Sequence, residues 1–221
     1  MPFKLVFAVA LGLLAGQTSR SAIIWEETGS AGRLPDQAQY TLGAGPLSGI
    51  SGNLLDLNEI DLYRILITDP QNFSAMTSGE SDFIPDPQLF LFDLAGFGVY
   101  SNDDGPGIGS QSELPAGHTF SPLTAGLYLL GIGRFPNEPS SNLGLIFRQN
   151  DQVGSPDLGA GGSLPLAGWT DDVDGRPDLN TEYFISLTGA SVSGIPEPGS
   201  FLLTASALAV TALAFTKLRS R

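Results

Sequence analysis

From Ile60 to Thr68 the chain alternates along the period of a β-strand, and both resulting faces are apolar. Asp61, Tyr63, Ile65 and Ile67 point one way, Ile60, Leu62, Arg64 and Leu66 the other. A strand with two apolar faces belongs in the middle of a layered β-structure. Gln88 to Leu94 repeats the pattern, with Leu89 and Leu91 opposite Phe90 and Phe92. Further strands are expected over Phe73–Thr77, Gly98–Ser101, Gly117–Phe120, Gly126–Gly133, Leu143–Arg148 and Tyr183–Leu187. The 28 glycines and 16 prolines interrupt the chain too often for helices of ordinary length. Short strands separated by turn residues predict an all-β, antiparallel β-sandwich. Its core should hold Tyr63, Ile65, Leu89, Leu91, Phe92, Leu129 and Ile185. Asn102-Asp103-Asp104-Gly105-Pro106-Gly107 reads as a turn, and Ser155 to Gly168 as a long surface loop.

The two ends follow a different pattern. Lys4 precedes an apolar stretch from Leu5 to Ala15, and small or polar residues follow to Ala22. A charged start, a short apolar segment and a small-residue cleavage zone predict a signal peptide over 1–21, exported through the Sec translocon. At the other end, Ile195-Pro196-Glu197-Pro198-Gly199 leads into an uncharged run from Phe201 to Phe215, then Lys217, Arg219 and Arg221. A helix over 201–218 would be roughly 27 Å long, a match to a hydrocarbon core of about 30 Å. Its basic end belongs on the cytoplasmic side. The two prolines resist helix and keep an extended strip ahead of the span.

That order of parts resembles the PEP-CTERM sorting signal of Gram-negative bacteria. The resemblance covers 195–221 and implies recognition and cleavage by an exosortase near Pro196-Glu197-Pro198. The alternative is a plain single-span anchor that is never processed.

Composition bounds the segment between the signals, 22–194. With the ends set aside, five arginines face 22 acids, a balance of −17. Such a surface repels nucleic acid and anionic lipid and attracts cations. The chain has no cysteine, so disulfides contribute nothing and the body depends on its core, on calcium or on both. The length suits one domain burying roughly 70% of its unfolded surface.

Within that body, Glu59-Ile60-Asp61-Leu62-Tyr63-Arg64-Ile65, Phe73-Ser74-Ala75, Pro87-Gln88-Leu89-Phe90-Leu91-Phe92-Asp93 and Gly98-Val99-Tyr100-Ser101-Asn102-Asp103-Asp104 form an ordered set. Leu123-Thr124-Ala125-Gly126-Leu127-Tyr128 and Tyr183-Phe184-Ile185-Ser186-Leu187-Thr188-Gly189-Ala190 extend it. The set resembles the bacterial pre-peptidase C-terminal domain over roughly 50–190. The resemblance implies a jelly-roll-like β-sandwich, some members of which bind calcium and some protein or polysaccharide. No protease domain accompanies it on this chain.

Catalytic chemistry has few starting materials. A serine triad needs a histidine base, and the one histidine, His118, lies in Pro115-Ala116-Gly117-His118-Thr119 with no Gly-x-Ser-x-Gly elbow anywhere. Thiolate nucleophiles and thiolate zinc sites are excluded by the absence of cysteine. A glycosidase-type carboxylate pair survives on abundance alone, since so many acids fall near one another by chance. The expectation is a protein without catalytic activity. Trp25 and Trp169 could stack on a sugar, or be ordinary partly buried aromatics; Trp169 is the candidate ligand contact.

Calcium needs several oxygen ligands from neighbouring or converging positions, and two sets qualify. One joins Glu59 and Asp61 to Asn102, Asp103 and Asp104; the other is Asp172, Asp174 and Asp178 in Asp171-Asp172-Val173-Asp174-Gly175-Arg176-Pro177-Asp178. Turn acids that only cap local donors are the alternative. The expected function is a non-catalytic exported surface or extracellular-matrix protein, held in the inner membrane until processing. The alternative is a calcium-assisted module that binds an extracellular polysaccharide or a protein.

Overall fold

The computed structural model describes residues 21–78, 85–148, 153–155, 161–171 and 181–194. The expected signal segment, the expected span over 201–218, Pro196, Glu197 and Pro198, and Asp172, Asp174 and Asp178 lie outside the described residues, apart from residue 21. Among the described residues the chain is all-β, with a single 3-10 turn at Gly161–Ser163 and no helix long and apolar enough to cross a membrane.

Two sheets carry the body. One runs in the order β1 (Ile23–Glu26), β3 (Leu47–Leu54), β14 (Thr181–Thr188), β5 (Ser74–Ser78), β8 (Glu113–Leu114). The other runs β12 (Val153–Gly154), β7 (Gly98–Asn102), β6 (Pro87–Asp93), β9 (Gly126–Arg134), β4 (Asp61–Ile67), β15 (Ala190–Val192), with β2 (Gln39–Tyr40) also on β4. Most ladders are antiparallel, as expected, but β1 lies parallel to β3 and β2 parallel to β4. A small third sheet orders β11 (Gly144–Leu145), β10 (Pro139–Ser141) and β13 (Gly168–Trp169).

The apolar alternation explains this layering. Tyr63, Ile65, Leu89 and Leu91 meet Ile50, Tyr183 and Ile185 of the facing sheet in one core, which makes the body a β-sandwich. On the other face of the larger sheet, Ile60, Leu62, Phe90 and Phe92 form a second core with Ile146, Phe147, Leu166 and Trp169. The two-faced burial read from Ile60–Thr68 and Gln88–Leu94 therefore has two separate partners. All seven predicted core residues are buried.

Several expectations are corrected. Gly117–Phe120 is a turn, not a strand: Gly117 has φ +65°, and Ser121 Oγ accepts from the His118 N–H while donating to the Pro115 carbonyl. Leu143–Arg148 is extended only at Gly144–Leu145, because Ile146 and Phe147 turn in to fill the second core. The stretch from Ser155 to Gly168 is no simple surface loop, since Leu166 is buried in that core and Gly161 and Gly162 are covered. Strand β3 is absent from the expected set, for Leu47-Ser48-Gly49-Ile50-Ser51-Gly52-Asn53-Leu54 reads as turn-rich. Its glycines are there for clearance: a Cβ at Gly49 would collide with the Phe184 ring, and one at Gly52 with Tyr183 and Glu27.

Candidate functional site

Two groups of carboxyls are built by this framework, and they lie apart. The cross-strand register is Asp61–Ile132, Ile132–Leu89 and Leu89–Asn102, so three inter-strand steps separate Asp61 from Asn102. At roughly 4.8 Å per step that is about 14 Å. The set predicted from Glu59, Asp61, Asn102, Asp103 and Asp104 is therefore split between two places.

The first group sits between the sheets. Asp61 is fully buried at the start of β4; its Oδ1 accepts from the Ala31 N–H at 3.2 Å and its Oδ2 from the Tyr183 hydroxyl at 2.8 Å. The Tyr183 and Tyr63 hydroxyls are themselves hydrogen-bonded across the core. Glu27, just past β1, accepts from Ala31 N at 3.0 Å and Asn53 N at 2.9 Å, and its carboxyl is hydrogen-bonded to that of Asp61. Two carboxyls in contact hold a proton between them. Burial foremost, then the Glu27 charge, pushes Asp61 up to about 8, against the opposing bond from Tyr183. Burial raises Glu27 as well, and raises both tyrosine hydroxyls. Glu59 contributes charge to this group from nearby, while its own carboxylate accepts from the Leu55 N–H. Outside the pair lies a groove of about 530 Å³ lined by Glu26, Glu27, Asn53, Leu55, Glu182 and Phe184 among others.

The second group sits at one end of the larger sheet. Asp86, just before β6, meets Asp103 and Asp104, just after β7, with one carboxylate oxygen of each within 4.8 Å of the others. Asp103 Oδ1 is buried without a hydrogen-bond partner. Partial burial, then the charges of Asp86, Asp104 and Glu138, push Asp103 up to about 7. Asn102 faces the interior instead: its Nδ2 donates to the Glu113 carbonyl at 2.6 Å, across to the other sheet. Asp86 is not legible as a member of this group in the sequence. The whole β6–β7 hairpin lies between it and Asp103, and only the pairing of those two strands brings their open ends together.

The other predicted contacts are taken up by packing. Trp169 is only 8% exposed, stands edge-on to Phe90 at 5.3 Å, and donates its indole N–H to the Arg33 carbonyl, so it offers no open ring face to a ligand. Trp25 is half-buried and donates to Gln39 Oε1 at 3.0 Å. His118 is half-buried in its turn, with Nδ1 accepting from the Phe120 N–H at 3.3 Å. Asp171, the one residue described in the second predicted calcium set's stretch, pairs with Arg33.

Comparison with known proteins gives no match: no family model, no curated protein and no solved structure is significantly similar to this chain.

Proposed function

We propose that this chain is a non-catalytic exported surface or extracellular-matrix protein. Its body is a jelly-roll-like sandwich of the pre-peptidase C-terminal kind, and an exosortase sorts and cleaves it at Pro196-Glu197-Pro198. The observation that carries the reading is where the reactive side chains go. Asp61, Tyr63 and Tyr183 are locked together inside the sandwich, His118 is tied into its own turn, and Trp169 fills a core. Their engagement in packing and internal hydrogen bonds supports a structural role for them. The test is the intact mass of the mature protein from its native cell. A species lacking both the signal and the segment beyond the Pro-Glu-Pro motif supports the reading, and one that still ends in Arg221 overturns its sorting step.

A second reading, a calcium-assisted glycan- or protein-binding module, is favoured by the groove beside Glu27, Asn53 and Phe184. Screening the full chain against a polysaccharide array tests it; saturable binding lost on Phe184→Ala is the supporting result.

A further inference from the structure

The outer face of the smaller sheet sets an aromatic ring beside two exposed acids and a sheet edge. Tyr183 and Ile185 face the inner core, so Phe184 between them projects from the opposite face. Its ring leans over Gly49 of β3, where a Cβ would lie 2.5 Å from Cζ and 2.8 Å from Cε2. The sheet thus backs the ring on one side, and Phe184 lines the groove. Register sets its neighbours. Glu26 pairs with Ser51 and Ser51 with Phe184, so the three form one row across β1, β3 and β14. Glu182 stands two residues along β14 on the same face, opposite Asn53. Glu26 and Glu182 are exposed, and among the described residues neither carboxylate has a hydrogen bond or an ion pair. Glu27 is committed inward, to Asp61, Ala31 and Asn53. Among the described residues the groove's lining holds three glutamates and no cationic side chain. Strand β1 is the last of its sheet there, so its far side has no ladder.

We infer that this face binds an extended, arginine-bearing segment of another polypeptide, which adds as a strand to β1 and lays a guanidinium over Phe184 beside Glu26. Charge complementarity chooses the cation: an acidic groove with a ring backed by the sheet holds it by ring face and carboxylate together. The edge chooses the polypeptide, because only a backbone supplies the ladder that β1 lacks on its far side. Distance chooses arginine. An added strand runs about 4.8 Å beyond β1, hence about 10 Å from β3, over which the ring leans. Arginine's long stem and a cation–π reach of about 6 Å cover that gap, and its planar group stacks on a ring as an ammonium does not. Ile24, on the same face as Glu26 and 56% exposed, gives the added strand an apolar neighbour. A second copy of this chain fits poorly, since it would bring Glu26 and a body balance of −17 against the same charges.

This partner rests on the binding-module reading of the same groove and narrows it. The experiment is fluorescence anisotropy of the full chain, purified in detergent, with a short labelled peptide alternating arginine and threonine. Expected is saturable binding that weakens with salt, and loss of binding when glutamine replaces arginine in the peptide. Methylating the peptide's backbone nitrogens should also weaken it, because that blocks the ladder to β1. Phe184→Leu should weaken binding about threefold or more, and Phe184→Tyr should retain it. Glu26→Gln should weaken it about fivefold or more. Asp36→Asn and Asp69→Asn remove the same charge from exposed positions outside the groove, and each should stay within about twofold. If Phe184→Leu fails to fold, the exposed Glu26 carries the test. Equal losses in Asp36→Asn and Glu26→Gln overturn the site, by reducing the binding to overall charge. A protein that sediments as a dimer until Phe184 is replaced overturns it too, by assigning the face to a second copy. Saturable polysaccharide binding lost on Phe184→Ala, with no peptide binding, overturns the partner and leaves the groove reading in place.

Discussion

The Tyr183 hydroxyl donates to Asp61 Oδ2 at 2.8 Å, and this bond joins the two sheets of the sandwich through their shared core. Both residues are buried, so neither finds water as a substitute partner. Tyr183→Phe should therefore destabilise the protein by about 1–3 kcal/mol, the range for leaving a buried polar group unsatisfied. Urea unfolding at constant pH measures it; a change within error would mean that Asp61 finds another donor.

Asp61 also sets a pH dependence. Its ordinary value is 3.8 and burial raises it to about 8, so the folded protein keeps a proton that the unfolded chain releases. Stability contributed in this way is fully present below about pH 4 and is lost progressively as pH rises to about 8. Asp103, pushed up to about 7, adds a slope of the same sign in the same window. Asp61→Asn should flatten the decline without abolishing it, as read from denaturation midpoints between about pH 5 and 8. A wild-type midpoint that rises across that window would contradict the buried-proton account.

Leu91 lies mid-strand in β6 and is fully buried between the sheets. Leu91→Ala should cost on the order of 2–5 kcal/mol, through lost transfer energy and the cavity left behind. A loss under about half a kcal/mol by denaturant titration would be incompatible with that packing.

Gly52 stands opposite Tyr183 in the β3–β14 ladder, and a Cβ there would lie 2.6 Å from Glu27 Oε2. Gly52→Ala should destabilise by about 1–3 kcal/mol, because Glu27 and Tyr183 must both move. Gly168→Ala is the control: its nearest contact is Ser140 Oγ at 3.6 Å, an ordinary van der Waals distance. Equal melting temperatures for the two variants would show that Gly52 is not needed for clearance.

Glu197 carries the sorting prediction. If the proposed sorting holds, Glu197→Ala makes the precursor accumulate in the inner membrane and leaves the melting curve of the body unchanged, because Pro196 and Pro198 disfavour regular structure around that position. Fractionation of the native cell followed by intact mass decides it; normal processing of the variant would remove Glu197 from the recognised motif.

Alternation alone determined the centre of this protein. Two-faced apolar runs at Ile60–Thr68 and Gln88–Leu94 can only be buried on both sides, and the structure places them as the two neighbours of β9 with a core on each face. Strand β3 was illegible because its glycines answer to Phe184, Tyr183 and Glu27, partners brought in by the fold. The same holds for the acids. Sequence proximity grouped Asp103 with Asp104, but only strand pairing brought Asp86 to them and carried Asp61 away to Glu27 and Tyr183. Charge attracts or repels through space, and the neighbours that decide a carboxyl's state are chosen by register, a long-range property that no local pattern encodes.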